Sequence, residues 1–152
     1  MESLDQDRCH DLPPMPLEKA REILISHSKK PRNHRQLETD LFATAKNPVC
    51  GDEVTIQIQK NGSQVIDVAI QTQACTICTA SASLLSEMIV NKTLPEALQI
   101  SKNFQNQLTL PELITSPWPK TLGPLQALEH LKVNKTRVSC GLLPWIALDR
   151  LL

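Results

Sequence analysis

The residues best suited to chemistry in this sequence are its cysteines, five in all, at positions 9, 50, 75, 78 and 140. An odd number excludes a complete set of disulfides within the chain, and the opening stretch MESLDQDRCHDLPP has no apolar run typical of a secretory signal. We therefore predict a reducing, cytoplasmic setting. There, cysteines more often act as metal ligands, reactive thiols or small core residues than as disulfides.

Three of the cysteines lie where predicted loops meet predicted strands or helices, namely Cys50, Cys75 and Cys140. Inert core thiols are expected in the middle of elements, on apolar faces. Asp52 follows Cys50 in the same loop, and its carboxylate could join the thiols around one metal ion. Spacing alone leaves two interpretations open, a metal or thiol site and a set of buried thiols without function. Cys9 is assigned no role.

A β-hairpin is predicted in the middle of the chain. Residues 54–59 (VTIQIQ) and 64–72 (QVIDVAIQT) alternate apolar and polar side chains. Between them, Asn61-Gly62 suits a two-residue type I′ turn, because both of its central positions need positive φ. The segment 41–45 (LFATA) could add a third strand.

The predicted register of this hairpin places Cys50 opposite Gln73, two residues from Cys75. Because neighbouring strands lie about 4.8 Å apart, both thiols would sit at the same end of the hairpin, within reach of one ion. Cys75 also immediately precedes a predicted helix, whose free N–H groups favour a thiolate.

Periodicity, capping signals and small apolar residues predict helices over residues 17–27, 79–90, from 94 onward, 122–132 and 141–152. Thr93 and Glu96 form a predicted capping box at the start of the third helix. Pro144 falls in the first turn of the last predicted helix, where proline is tolerated.

Strands followed by segregated helices predict an α+β fold, in which a small antiparallel sheet of about three strands packs against several helices. Residues 1–15 are polar and rich in proline, and we predict a flexible amino-terminal tail there. Residues 16–152 are predicted to form a single domain with a Pro-rich insertion near 105–120.

Composition argues against a nucleic acid or a membrane as partner. Lys and Arg total 16 and Asp and Glu total 16, which leaves no excess positive charge to neutralise phosphates. Aromatic residues make up 3% of the chain, too few for a base-stacking surface. The longest stretch without polar side chains, 141–148, is far shorter than the ~20 residues that span a bilayer.

Four stretches of the sequence resemble motifs of one known family. They are NPVCGD (47–52), CTICTASAS (75–83), RVSCGLLPW (137–145) and the basic turn HSKKPRN (27–33). Together they resemble the U-type iron-sulfur cluster assembly family, which comprises IscU, SufU and the NifU amino-terminal domain. The similarity runs from about residue 17 to the end and implies that family's α+β fold.

Two features of the chain resemble the SufU branch of the family. The long interval between Cys75 and Cys140 contains the Pro-rich insertion, and Ser139 stands where IscU-type members carry a His ligand. The resemblance implies a four-ligand set that holds zinc in SufU-type members: Cys50, Asp52, Cys75 and Cys140. Three thiolates hold a borderline-soft ion firmly, while the carboxylate is a more replaceable arm. An iron-sulfur cluster is the alternative occupant.

The sequence also departs from the family pattern at two places. Family members usually carry glycines one and three residues before the second motif cysteine, where this chain has Ala74 and Thr72. They commonly carry serine at the position of Cys78. Cys78 is open to three interpretations: an accessory ligand, a resolving thiol for a disulfide with Cys75, or a buried replacement for serine.

The resemblance implies a role in iron-sulfur cluster assembly. In the family, a pyridoxal-phosphate cysteine desulfurase delivers persulfide sulfur to a cysteine, which implies Cys50 as the acceptor, a SufS-like desulfurase as partner, and downstream assembly or acceptor proteins. Arg137 could stabilise thiolate or persulfide charge. Lys29 and Arg32 could belong to the partner surface. An ordinary exposed role stays open for all three.

Three functions therefore remain open. The first is a zinc-dependent sulfur carrier, an enzyme only in the sense of a sulfurtransferase that acts with the desulfurase. The second is a scaffold on which an iron-sulfur cluster is assembled and transferred, with the same ligands. The third, less favoured, is a thiol-disulfide oxidoreductase that uses Cys75 and Cys78 as a CxxC pair and leaves Cys50 and Asp52 unused.

Overall fold

The computed structural model describes residues 11–113 and 115–151. The strands are β1 (Asp11–Leu12), β2 (Phe42–Lys46), β3 (Glu53–Asn61), β4 (Gln64–Gln73) and β5 (Trp118–Pro119). The α-helices are α1 (Leu17–Lys29), α2 (Thr76–Ile89), α3 (Leu94–Thr109) and α4 (Lys135–Leu151). Two 3₁₀ segments, Pro111–Leu113 and Lys120–Val133, lie between α3 and α4. The sheet precedes most of the helices in the chain, which confirms the predicted α+β class.

The main sheet has three antiparallel strands in the order β2-β3-β4. The alternation that predicted β3 and β4 is visible in their burial, because Val54, Ile56, Val68 and Ile70 are buried in the core. Helices α2 and α4 pack against the sheet and against each other. A second, two-stranded sheet joins β1 to β5.

The predicted hairpin register was wrong. Asn61 pairs with Gln64, so the turn residues are Gly62 and Ser63, and an irregularity between Gln59 and Lys60 shifts the pairing further. Of the two turn residues only Gly62 has positive φ (+62°), as in a type II′ turn, which requires it only at the first central position. A type I′ turn at Asn61 would need positive φ there too, and Asn61 remains in the strand.

The register places Glu53 opposite Gln73. The loop before β3 and the residues after β4 therefore meet at one end of the sheet, as predicted, although their alignment differs.

The last helix begins earlier than predicted. It starts at Lys135, after Asn134, whose side-chain Oδ1 accepts a hydrogen bond from the Arg137 N–H at 3.3 Å. This cap satisfies one of the free amides of the first turn. Cys140 consequently lies in the second turn of α4 rather than at a loop–helix junction, and Pro144 lies inside the helix rather than in its first turn.

The segment predicted as a Pro-rich insertion near 105–120 divides into several elements. Helix α3 continues to Thr109, and its predicted capping box is confirmed by hydrogen bonds in both directions between Thr93 and Glu96. A 3₁₀ turn and strand β5 follow. The segment Lys120–Val133, predicted as an α-helix over 122–132, is 3₁₀ helix broken at Gly123 (φ +42°), a conformation that favours glycine.

The predicted tail, 1–15, lies partly outside the described residues, and Cys9 is among those not described. Its last residues contact the domain: β1 pairs with β5, and the Pro13 carbonyl accepts a hydrogen bond from Gln126 at 2.5 Å. Within the described ranges, none of the helices has the length and apolar character needed to cross a membrane.

Candidate metal centre

The loop between β2 and β3 presents one thiol to solvent and turns one carboxylate inward. The Asn47 N–H donates to the Asp52 carbonyl and the Gly51 N–H donates to the Asn47 carbonyl, both at 2.8 Å. Gly51 has φ of +78°, which few other residues adopt without strain. Cys50 is exposed at the tip of this loop, whereas Asp52 is only 6% exposed.

The start of α2 brings a second thiol to the same place. Cys75 is the N-cap residue of α2, and its Sγ accepts a hydrogen bond from the Cys78 N–H at 3.4 Å. The Cys75 N–H donates to Asp52 Oδ1 at 3.1 Å. The loop carboxylate is therefore attached to the helix start, which brings the Cys50–Asp52 segment beside Cys75.

The third thiol comes from α4. One ligand atom from each of Cys50, Asp52 and Cys140 lies within 4.8 Å of the other two. Cys75 adjoins this trio through the hydrogen bond from its N–H to Asp52 Oδ1. The structure thus brings all four residues implied as ligands to one end of the sheet.

Burial disfavours thiolates at this site when no ion is bound. It raises the pKa of Cys140 to about 12, helped by the hydrogen bond to the Cys75 thiol. Partial desolvation also raises the pKa of Cys75, although this residue is exposed and the Cys78 N–H acts in the opposite direction. At neutral pH these two thiols are therefore protonated unless a cation favours their charged form.

A divalent metal ion fits the residues present. Asp52 Oδ2 is buried and has no hydrogen-bond partner within the described part of the chain, an arrangement that costs free energy unless a cation binds it. Three sulfurs and one carboxylate oxygen form a donor set that suits zinc. The ligand atoms of Cys50, Asp52 and Cys140 are already close enough for one ion, and Cys75 lies beside them.

Cys78 lies beside the site but faces the core. Its side chain is fully buried in the hydrophobic cluster, and burial raises its pKa above the ordinary range of a thiol. Its backbone N–H, not its thiol, makes the described contact with Cys75. This placement fits the interpretation of Cys78 as a buried replacement for serine better than that of an accessible resolving thiol.

Arg137 lies one helical turn before Cys140, in the first turn of α4. Its side chain is exposed. Residues three positions apart share a helix face, so the guanidinium can reach the rim of the site.

The basic turn after α1 is attached to α2 by buried serines. Ser83 Oγ bonds His27 Nδ1 at 2.7 Å and accepts from the Arg32 N–H at 2.8 Å. Ser86 Oγ accepts from Asn33 Nδ2 at 3.0 Å and donates to the Arg32 carbonyl at 3.3 Å. The turn and the helix that begins at the thiol site therefore form one connected unit.

Lys29 and Arg32 in this turn were predicted as partner-surface residues, and their side chains differ in exposure. Lys29 is exposed at the end of α1. The Arg32 guanidinium is half-buried and donates to the Lys30 carbonyl at 3.1 Å and to Ser26 Oγ at 3.0 Å. Arg32 thus helps to shape the turn, whereas Lys29 projects from it.

His27 gives this turn a pH dependence. Burial lowers its pKa below 6.5, and nearby Arg32 acts in the same direction while Glu87 opposes it. Below about pH 6.5 the unfolded chain takes up a proton that the folded chain resists, so stability is lost as the pH falls. We expect urea unfolding to show a lower free energy of unfolding at pH 5.5 than at pH 7.5.

The matched variant for this prediction is His27→Asn, whose amide can reach Ser83 but does not titrate. We expect its stability to change less over the same pH interval. An equal slope in the two proteins would contradict the assignment to His27.

The serines of α2 were missed as functional residues, since the sequence was interpreted only as small residues of a buried helix. Ser81, Ser83 and Ser86 are each fully buried and hydrogen-bonded to another element. Buried hydroxyls need partners. Serines spaced along an otherwise apolar helix were therefore the available signal.

Comparison with known proteins agrees with this geometry. The family model described as the NifU-like N-terminal domain matches residues 19–116. The chain is 31% identical over 130 residues to the zinc-dependent sulfurtransferase SufU of Bacillus subtilis, covering 86% of each sequence. It is 30% identical over 126 residues to the iron-sulfur cluster assembly scaffold protein IscU of Streptococcus pyogenes, covering 83% of this chain and 77% of that protein.

Solved structures show the same fold. The crystal structure of a putative iron-sulfur cluster assembly scaffold protein for the SUF system from Fervidobacterium islandicum matches with a TM-score of 0.76 and 32% identity, covering 85% of this chain and 93% of that one. An N-terminal NifU-like protein from Brucella abortus matches with a TM-score of 0.74 at 22% identity, covering 89% and 94%, which supports the fold alone. The chain belongs to the NifU-like N-terminal domain family, the U-type proteins of iron-sulfur cluster assembly.

Proposed function

We propose that this protein is a zinc-dependent sulfur carrier of iron-sulfur cluster assembly. In this proposal Cys50 accepts persulfide sulfur from a pyridoxal-phosphate cysteine desulfurase of the SufS kind and passes it to downstream assembly or acceptor proteins. The observation that carries the proposal is the contrast within one cluster: the Cys50 thiol is exposed, while its neighbours Asp52 and Cys140 are buried within 4.8 Å. Cys50 can thus meet another protein while Cys140 stays protected; Cys75 is exposed as well, but its Sγ already accepts the Cys78 N–H at the start of α2.

The residues that would hold the zinc ion are Cys50, Asp52, Cys75 and Cys140. Zinc bound there would keep thiols deprotonated at neutral pH and shield them from oxidation. The unpartnered Asp52 Oδ2, buried among the described residues, supports this assignment, because a cation would compensate its burial. The name of the Bacillus subtilis relative, a zinc-dependent sulfurtransferase, agrees with this choice of metal.

The transfer step needs no external oxidant or reductant. The Cys50 thiolate attacks the terminal sulfur of the desulfurase persulfide, forming one S–S bond while the S–S bond to the desulfurase cysteine breaks. The desulfurase cysteine leaves as a thiolate. Exposure of Cys50 at a loop tip allows this approach, and the positive φ of Gly51 helps to maintain the tip.

Arg137 and Lys29 are assigned supporting roles in this proposal. The Arg137 side chain, on the exposed rim one turn before Cys140, would stabilise the negative charge of the incoming persulfide. Lys29 would contact an acidic surface of the desulfurase. Arg32 would contribute mainly by holding the turn in shape, since its guanidinium already bonds Lys30 and Ser26.

A scaffold for iron-sulfur clusters is the second candidate function, favoured by the name of the Streptococcus pyogenes relative. It would use the same ligands. An oxidoreductase that uses Cys75 and Cys78 is less well supported, because the Cys78 thiol is fully buried and a resolving thiol must be reached.

The proposal is tested on the purified protein by metal analysis and by measuring how the protein changes the turnover rate of the desulfurase. We expect about one zinc per chain, as a four-ligand site requires, and a saturable rise in desulfurase turnover of at least about tenfold, since an acceptor relieves a persulfide-blocked enzyme. Iron and sulfide bound without any rise in turnover would favour the scaffold. A metal-free chain with a disulfide between Cys75 and Cys78 would favour the oxidoreductase.

A further inference from the structure

A buried serine joins the two helices that carry the thiol site. The Ser81 hydroxyl, on α2, donates to the Gly141 carbonyl of α4 at 2.5 Å. The same oxygen accepts from Trp145 Nε1, also on α4, at 3.2 Å. Ser81 and Trp145 are both fully buried, so water does not compete for these bonds. We call this set, Ser81 with Gly141 and Trp145, the Ser81 bridge.

The Ser81 bridge acts on the peptide unit between Gly141 and Leu142, one residue beyond Cys140. Apolar helix surfaces resist separation but allow small sliding, whereas a hydrogen bond specifies direction and distance. Since Gly141 directly follows Cys140, a bond at its carbonyl restrains the position of the Cys140 Cα and hence of its thiol. The trio of Cys50, Asp52 and Cys140 depends on that position.

Two local features make α4 reliant on such a restraint. Pro144 has no N–H, so the Cys140 carbonyl cannot receive the bond that another residue four positions later would donate. At Gly141, an added Cβ would lie 2.9 Å from the Leu131 side chain and 3.9 Å from Ile77, so the helix approaches its neighbours closely there. Helix α4 thus lacks one internal hydrogen bond at Cys140, and at the adjacent Gly141 it packs closely against its neighbours.

We propose that Ser81 and Trp145 are positioning residues for the metal centre, and that the Ser81 bridge holds the Cys140 thiol at the distance from Cys50 and Asp52 that one ion can occupy. This inference rests on the proposed function for its biological meaning. Its structural claim, that the bridge controls access to Cys140, can be tested without any metal.

Ser83 provides a matched control on the same helix. Its side chain is equally buried and also makes two hydrogen bonds, but its partners His27 and Arg32 belong to the basic turn and not to α4. Ser81→Ala and Ser83→Ala therefore each remove a buried hydroxyl with two bonds from α2. Only Ser81→Ala removes a contact with the helix that carries Cys140.

The experiment measures the alkylation rate of Cys140 in the full-length chain with a chelator present, by peptide mass spectrometry. Cys140 is 8% exposed, so its reaction requires local opening. We expect Ser81→Ala to raise this rate about fivefold, the factor that corresponds to one lost hydrogen bond of ordinary strength. Ser83→Ala should stay within about twofold of the wild type, because its lost bonds do not touch α4.

With zinc present, Ser81→Ala should release the ion to a chromophoric chelator faster than Ser83→Ala does. Trp145→Phe, which removes one donor and leaves the Gly141 bond in place, is expected to give an intermediate alkylation rate and replaces Ser81→Ala if that variant does not fold. Equal alkylation rates in the Ser81 and Ser83 variants would overturn the inference. A wild-type chain that binds no zinc would overturn the proposed function instead, and the alkylation comparison would still decide the role of Ser81.

Discussion

Replacing Cys50 with serine is expected to reduce sulfur acceptance by at least about 100-fold, since a serine hydroxyl remains protonated at neutral pH and is a far weaker nucleophile than a thiolate. Cys50 and Cys75 are both exposed, Cys50 at the tip of the 47–52 loop and Cys75 at the start of α2, whereas Cys78 and Cys140 are buried. The buried cysteines should therefore not substitute for it, and we expect Cys75 not to do so because its Sγ is held at the helix start by the Cys78 N–H. The measurement is mass spectrometry of the protein after incubation with desulfurase and cysteine, in which the wild type gains one sulfur atom.

Cys78→Ser is the matched control for this prediction. It also removes one thiol beside the site, but a thiol that is fully buried in the core. We expect it to bind zinc and accept sulfur at rates within about threefold of the wild type, as for a near-isosteric core change. If the persulfide formed on a residue other than Cys50, or if Cys78→Ser were as inactive as Cys50→Ser, the assignment of the acceptor would be wrong.

Asp52→Asn is expected to weaken zinc binding by at least about 100-fold. Zinc contributes about 10–16 kcal/mol to small four-ligand sites, so the loss of one ligand removes a share large enough for this factor. The asparagine amide of this variant retains an oxygen for the Cys75 N–H, which keeps the loop on the helix. The amide also places a neutral group at the position of Asp52 Oδ2, which in the wild type is buried and has no hydrogen-bond partner among the described residues.

Chelator competition gives the zinc affinity of this variant, and thermal unfolding with and without zinc gives its linkage to stability. In chelator the variant and the wild type should unfold within a few degrees of each other, whereas the same concentration of zinc should raise Tm less in the variant than in the wild type. Glu53→Gln is the control, because it neutralises the neighbouring carboxylate, which is partly exposed and faces Lys46 at 4.0 Å. Similar zinc affinity in Asp52→Asn and the wild type would remove Asp52 from the ligand set.

Features that depend on neighbouring residues were predictable from the sequence. The capping box of Thr93 and Glu96 formed as expected, because it requires only residues three apart. The alternation of β3 and β4 also predicted which side chains enter the core. The hairpin register was missed because turn type depends on φ at single residues, and Gly62 adopts positive φ whereas Asn61 stays in the strand.

The start of α4 shows where local pattern fails. The apolar run from Gly141 suggested a helix beginning there, but the cap at Asn134 moves its start to Lys135. Cys140 therefore enters the site from within a helix, and its position depends on packing against α2. No spacing rule connects the residues of the Ser81 bridge, since the bond from Ser81 to Gly141 spans 60 positions in the chain.

The motifs were thus sufficient to identify the family and to name Cys50, Asp52, Cys75 and Cys140 as candidate ligands, since motif residues are defined by type and local order. How deeply each of these residues is buried was decided by the tertiary structure. Burial of Asp52 and exposure of Cys50, two residues apart, follow from how the 47–52 loop meets the start of α2. Such contacts between distant segments arise from the packing of whole elements, which residue type and spacing do not encode on their own.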